Sequence, residues 1–275
     1  MTVAEALADA ARQGVARLDA QLLLLHALGR PSGDRAWLFA HDGDTVPQGA
    51  ATAFADACSR RLTGEPVAYL VGRKEFFGLD LHVDSRVLSP RPDTEVLVEW
   101  ALAVLAGTPS PAVADLGTGS GAIALAIKHA RPDAHVTAVD ASPGALEVAR
   151  TNADRHGLGI HCMHGHWLRG IEQRFDLLVS NPPYVAEADP HLDALAHEPR
   201  MALAAGRDGL DDIREIVAEA PSHLAPGGWL LLEHGWDQAA TVRALLAQAG
   251  FSDIASRPDL AGIERCSGGR RLERG

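Results

Sequence analysis

Apolar residues near the start of the chain recur at helical spacing. Leu18, Leu22, Leu25 and Leu28 form one stripe, and Ala50 to Leu62 is a second, alanine-rich segment. Breaks at Gly29-Arg30-Pro31-Ser32-Gly33 and Asp42-Gly43-Asp44 divide this stretch, which predicts three or four short helices packed as a small bundle. The bundle either docks a substrate or simply steadies the main domain. Tyr69 to Val83 is apolar and aromatic with a turn at Gly78, the pattern of a hairpin. Pro92, Asp93 and Glu95 suit the first turn of a helix, where exposed N–H groups and the dipole favour acids, and this helix should run to about Leu105.

From Ala112 the rhythm becomes strand, glycine turn, helix. Val113 to Leu116 is the first strand and Ala122 to His129 its helix; Val136 to Asp140 is the second, followed by a helix from Pro143 to His156. Such alternation predicts an α/β, doubly wound and mostly parallel sheet. Further strands are expected at Ile160 to Met163, Leu177 to Ser180, Trp229 to Glu233, Phe251 to Ala255 and Ile263 to Ser267, although Gly268-Gly269 weakens the case for the last. Ile213 to Leu224 and Gln238 to Ala249 supply crossover helices, and Ala186 to Gly209 reads as a long loop. The expected boundaries are a helical domain over 1–68, a hairpin linker over 69–87 and the α/β domain over 88–275.

Composition narrows the setting. A 275-residue chain that is 47% hydrophobic can fill a large core and a smaller one. Cys58, Cys162 and Cys266 lie far apart with neither disulfide-scaffold nor zinc-ligand spacing, which fits a reducing cytoplasm. The N-terminus lacks the basic head of a signal peptide, and no apolar run approaches the roughly 20 residues needed to span a bilayer; no membrane partner is expected. A formal net charge of −11 argues against a phosphate-driven grip on nucleic acid.

Gly117, Gly119 and Gly121 occupy the turn after the first strand, interleaved with Thr118 and Ser120. Positions without a Cβ let a ligand approach the backbone closely. The glycines alone also fit a dinucleotide site in its looser form, with Ala122 at the last position. Asp115 before the turn can accept from ligand or backbone donors. Asp140, 19 residues after Gly121, is placed for the two hydroxyls of a ribose, or to cap the turn before Ser142-Pro143.

Leu177 to Ser180 delivers Asn181-Pro182-Pro183-Tyr184 to the C-terminal edge of the sheet, where open α/β proteins bind ligands. Asn181 offers an amide oxygen, and the prolines fix the backbone and leave carbonyls as acceptors. A planar substrate NH₂ group could give its two hydrogens to the Asn181 oxygen and the Pro182 carbonyl. Tyr184 would stand beside that group as an aromatic wall or pack in the core. Competing motifs are missing: there is no G-x-S-x-G, P-loop or H-E-x-x-H. His161, Cys162, His164 and His166 invite a metal reading, but they lack a second spaced ligand pair and no metal is expected.

Pro90-Arg91-Pro92-Asp93-Thr94-Glu95, Asp115 to Gly121 and Ser180 to Val185, with Gly64-Glu65-Pro66-Val67 and Leu231 to Trp236, closely resemble the bacterial peptide chain release factor glutamine methyltransferases over nearly the whole chain. The resemblance implies a seven-stranded S-adenosylmethionine-dependent methyltransferase sheet, a small N-terminal helical domain and a linking hairpin. It implies transfer of a methyl group to N5 of the glutamine in the Gly-Gly-Gln loop of release factors 1 and 2, by a monomeric enzyme that leaves S-adenosylhomocysteine. Gly117 to Gly121 would cradle the amino-acid end of the cofactor, Asp140 would take the ribose, Trp167 would flank the adenine, and Asn181 to Tyr184 would hold the glutamine. His166 stands where the family usually has an acid, and could accept from the adenine amino group through a neutral ring nitrogen. The loop before Glu198-Pro199 is shorter than in the family.

Two other functions compete with this one. An adenine N6 amino-methyltransferase presents the same NH₂ group to Asn181, but it must grip nucleic acid, and the first 80 residues carry eight Lys or Arg against ten acids. A scaffold that has lost catalysis would not need Asp115, Asp140 and the Asn-Pro-Pro-Tyr run intact.

Overall fold

In the computed structural model, which describes residues 1–272, the first helix opens on a capping box. The Glu5 amide donates to the Thr2 hydroxyl at 3.2 Å, and the Thr2 amide donates to the Glu5 carboxylate at 2.8 Å. Helices α1 (Val3–Arg12), α2 (Arg17–Ala27), α3 (Arg35–Ala40), α4 (Gln48–Leu62) and α5 (Val67–Val71) succeed one another. They make a unit that comprises Met1–Arg73 together with Ala194–His197.

The expected leucine stripe is only partly right. Leu18 is 49% exposed and Leu22 and Leu28 are half-buried, whereas Leu23, Leu24 and Leu25 are wholly buried. The reason is position within the bundle: α2 touches α1, α3, α4 and α5, so it buries consecutive residues rather than one face.

The second unit comprises Lys74–Asp193 and Glu198 onward. Strands β1 (Arg73–Phe76) and β2 (Leu79–His82) pair as a hairpin, and its Phe76, Leu79 and Leu81 enter this unit's core. A 3₁₀ turn at Pro92–Thr94 leads into α6 (Glu95–Val104). The alternating part runs β3 (Ala112–Leu116), α7 (Ala122–Ala130), β4 (His135–Asp140), α8 (Pro143–His156), β5 (His161–His164) and β6 (Phe175–Ser180). It closes with α9 (Asp211–His223), β7 (Leu224–Glu233), α10 (Ala239–Gln248), β8 (Phe251–Pro258) and β9 (Glu264–Arg271).

The seven-stranded sheet has the order β5-β4-β3-β6-β7-β9-β8. Its strands are parallel except β9, which runs antiparallel to both β7 and β8. Alternate residues of the central strands feed two cores. Val113, Leu177, Val179 and Leu231 face α6 and α7, while Ala114, Leu116, Leu178 and Leu232 face α9 and α10. Burial on both faces is why these strands read as continuous apolar runs. β3 has β4 on one side and β6 on the other, so the chain reverses direction across the sheet beside β3, the place where doubly wound folds bind ligands.

Gly268 and Gly269 lie inside β9, which is longer than expected. A Cβ on Gly268 would sit 2.4 Å from a Leu231 methyl and 2.7 Å from the Leu230 carbonyl oxygen. The glycine therefore permits close strand packing there instead of weakening the strand. The long loop also has structure of its own. It holds 3₁₀ turns at Pro190–Leu195 and Arg200–Ala202, and Val185 bridges to Ala204.

Candidate active site

The turn after β3 is tied to the end of β4. The Gly117 and Thr118 amides both donate to the Val139 carbonyl, at 2.8 and 2.9 Å. Asp140 accepts the Gly119 amide on Oδ2 at 2.9 Å and the Ser142 amide on Oδ1 at 2.8 Å. It thus holds the turn and caps its own exit, and each oxygen keeps a lone pair for a ligand. Asp115 acts from beneath. Its Oδ2 accepts the Thr118 hydroxyl at 2.6 Å and the Ala124 amide at 3.1 Å. Oδ1 is buried without a partner, and burial pushes the carboxyl up to about 7.

A cavity of about 320 Å³ opens at this edge. Gly117, Thr118, Gly119 and Ser120 form one wall and Asp140 another. Trp167 and His166 line it from the segment after β5, and Asn181 and Pro183 from the segment after β6. Asp115, Gly121, Pro182 and Tyr184 do not line it. Trp167 holds a left-handed backbone, φ 50°, and packs so tightly against Gly117 that a Cβ there would lie 3.1 Å from its ring. Its indole N–H donates to Asp212 Oδ1 at 3.2 Å. His166 turns its Nδ1 toward Glu215, 3.3 Å away, and Arg169 meets the same Glu215 oxygen at 2.7 Å.

The Asn-Pro-Pro-Tyr segment is anchored at both ends. Asn181 Nδ2 donates to the Thr94 hydroxyl at 3.3 Å, which leaves its Oδ1 to serve the cavity. The Tyr184 hydroxyl donates to Glu233 Oε1 at 3.3 Å, and its ring packs against the core on the α9 side. Of the two places open to Tyr184, a wall beside the ligand or the core, its ring contact is with the core. Burial, with Glu233 next to it, holds the Tyr184 hydroxyl well above its ordinary pKa.

Sequence comparison agrees with this architecture. Residues 93–208 match the Methyltransferase small domain family and residues 2–72 the PrmC N-terminal domain family. The release factor glutamine methyltransferase of Bordetella pertussis is 51% identical over 260 residues, covering 93% of this chain and 95% of that one. That of Xylella fastidiosa (strain Temecula1) is 50% identical over 269 residues, covering 96% and 97%. The chain belongs to the release factor glutamine methyltransferase family.

Among solved structures, a methyltransferase from Pyrococcus furiosus superposes with a TM-score of 0.55 at 20% identity, covering 79% of this chain and 99% of that one. An S-adenosylmethionine-dependent methyltransferase from Agrobacterium tumefaciens gives 0.51 at 17%, covering 74% and 70%. Both likenesses are of fold. The site of this family member fits S-adenosylmethionine: the glycine turn leaves Gly119 open to the cavity, Asp140 presents a carboxylate with spare lone pairs, and Trp167 offers an aromatic surface. Among the described residues, no group of three or more His, Cys, Asp or Glu could hold a metal. His164 Nε2 lies instead 3.0 Å from the Ala141 carbonyl. No helix among them is long and apolar enough to cross a membrane.

Three residues that the sequence pattern did not single out join this site. Thr94 lines the cavity and holds Asn181, Asp212 lines it and holds Trp167, and Glu233 lies behind the tetrapeptide. Thr94 and Glu233 lie inside motifs that carry the family resemblance, and Glu233 is also an acid ending a strand of the same sheet, as Asp140 is. Thr94 and Asp212 sit in segments whose contacts come from distant parts of the chain.

Proposed function

We propose that the chain transfers the methyl group of S-adenosylmethionine to the side-chain amide nitrogen of the glutamine in the Gly-Gly-Gln loop of release factors 1 and 2, acting as a cytoplasmic monomer. The observation that carries the reading is the Asn-Pro-Pro-Tyr segment held at the rim of a cavity that fits the cofactor, in a chain half identical to enzymes named for that reaction. S-adenosylmethionine supplies an electrophilic sulfonium methyl and leaves as S-adenosylhomocysteine. An amide nitrogen is a poor nucleophile because its lone pair is delocalised. Asn181 Oδ1 at the cavity and the Pro182 carbonyl, set back from the cavity lining and reached only by an entering substrate, accept its two hydrogens, orient it and favour the rehybridised transition state over the resting amide. The nitrogen gains the methyl and gives up one proton. Gly117 to Ser120 and Asp140 hold the cofactor, and Trp167 flanks its base.

The test is transfer of labelled methyl to a release factor, to the same factor with its loop glutamine changed to alanine, and to adenine-containing DNA, with the methyl located by mass spectrometry. Label on the glutamine alone is expected. Asn181→Ala should slow single-turnover transfer by roughly 10²-fold, the loss of one preorganised contact, with cofactor affinity nearly unchanged. Equal label in the alanine control, label on DNA instead, or a wild-type rate for Asn181→Ala would overturn the assignment.

A further inference from the structure

Glu233 ends β7 and is 2% exposed. Its carboxyl receives the Tyr184 hydroxyl on Oε1 at 3.3 Å, the Thr94 hydroxyl lies close enough beside it to lower its pKa as a donor would, and Oε2 is buried with no hydrogen-bond partner. It does not line the cavity. A buried carboxyl with an oxygen left over is costly to keep, and nothing in the methyl transfer uses it directly. Both hydroxyls it takes belong to groups that hold the substrate-binding segment, one at each end.

The direction of these hydrogen bonds matters. A carboxylate has acceptors only, so the Thr94 hydroxyl must donate to it, and Thr94 Oγ1 is left with lone pairs alone for Asn181. Asn181 can then meet Thr94 only through its NH₂, as observed at 3.3 Å, and its oxygen serves the cavity. A protonated Glu233 could itself donate to Thr94, freeing the Thr94 hydrogen for Asn181 Oδ1. The Asn181 amide could then turn over and put its NH₂ into the cavity, facing the NH₂ of the substrate.

We propose that Glu233 is a positioning residue: acting through the Thr94 hydroxyl, its carboxylate fixes the polarity of the Asn181 amide so that oxygen, not NH₂, is offered to the glutamine amide. This rests on the function proposed for the chain and extends it to a specificity for NH₂-bearing acceptors. The groups that face Glu233 set its charge. Burial, the largest influence, and Asp93 raise it, the Thr94 and Tyr184 hydroxyls and Arg265 oppose this, and the outcome is a carboxyl pushed up to about 7. Cys266, its cross-strand partner in β9, is itself held protonated by burial and by Glu233. The relay therefore engages as pH rises through the neutral range.

The experiment compares wild type, Glu233→Gln, Thr94→Val and Thr94→Ser. Single-turnover transfer to a release factor at saturating cofactor should rise about 10-fold from pH 6 to pH 8 in wild type, the change in ionised fraction of a group titrating near neutrality. Asp115 titrates in the same range, so the decisive quantity is the difference from Glu233→Gln, in which that rise should shrink while cofactor affinity by calorimetry stays within about 2-fold. Thr94→Val should lower the rate by roughly 10-fold or more, Thr94→Ser should restore it, and the double variant Glu233→Gln/Thr94→Val should be no slower than the slower single variant. Independently of any substrate, the side-chain amide resonance of Asn181 in the ¹⁵N spectrum, assigned by its loss in Asn181→Ala, should shift with pH in wild type and not in Glu233→Gln.

A wild-type rate profile in Glu233→Gln, multiplying losses in the double variant, or an Asn181 resonance blind to Glu233 would each refute the relay. If Glu233→Gln does not fold, the Thr94 pair decides, since failure of Thr94→Ser to outperform Thr94→Val overturns it as well. An inert wild type that keeps the Asn181 titration would instead strike the proposed substrate and leave the relay standing.

Discussion

Gly117→Ala tests the wall between the glycine turn and Trp167. The glycine has φ 73°, and an added Cβ would lie 3.1 Å and 3.4 Å from two carbons of the Trp167 ring. A left-handed conformation costs an L-residue about 1 to 2 kcal/mol, and alanine recovers about 0.4 to 1 kcal/mol by restricting the unfolded chain. The conformational part is thus about 1 kcal/mol. Carbon contacts settle at roughly 3.5 to 4.0 Å, so the indole must withdraw by about half an ångström. It has little freedom to do so, because its N–H is already 3.2 Å from Asp212 and its own φ is positive. Stretching that hydrogen bond and forcing the ring off its rotamer should add about 1 kcal/mol.

Gly119→Ala is the control. Its φ of 54° carries the same conformational penalty, but an added Cβ meets no atom within 4 Å. Urea denaturation of the free protein should place Gly117→Ala about 2 kcal/mol and Gly119→Ala about 1 kcal/mol below wild type. In an Asp212→Ala background, where the ring can move, the extra loss at Gly117 should shrink. Equal stabilities for the two alanine variants would refute the view that Trp167 is pressed against the turn.

Asp140→Ala should weaken cofactor binding by about 1 to 3 kcal/mol in calorimetry. Asp140→Asn should fall between it and wild type, because one side-chain oxygen remains to accept the Gly119 or the Ser142 amide; an unchanged dissociation constant in a folded Asp140→Ala would remove the residue from the site. Stability should also decline as pH rises from 5 to 7. Burial raises Asp115 and Glu233 to about 7 in the folded protein, so between their unfolded and folded values the native state binds more protons, and each group can remove up to ~1.4 kcal/mol per pH unit. Buried His234, with its pKa lowered by burial, opposes this below its ordinary value, since it adds stability as pH rises. A urea midpoint flat over that range, in wild type and Glu233→Gln alike, would contradict the sign.

The alternation of strand, glycine turn and helix from Ala112 to His156 was legible along the chain because each element there is set by local pattern: continuous apolar strands, glycines after the first strand and Ser142-Pro143 opening a helix. The same holds for Asp140 and Asn181, since a residue ending a parallel strand is carried to the ligand edge whatever the rest of the chain does. Tertiary structure decided what depends on neighbours from elsewhere. Leu23 to Leu25 are buried because four helices surround α2, and Gly268 strengthens its strand because Leu230 and Leu231 press against it. Tyr184 turns from the cavity to Glu233, and Asn181 is oriented by Thr94, 87 residues earlier in the chain. Periodicity records which face of an element is apolar. It carries no record of which distant hydroxyl or carboxyl meets a side chain, and at this site those meetings set the direction of each hydrogen bond and therefore what the cavity can hold.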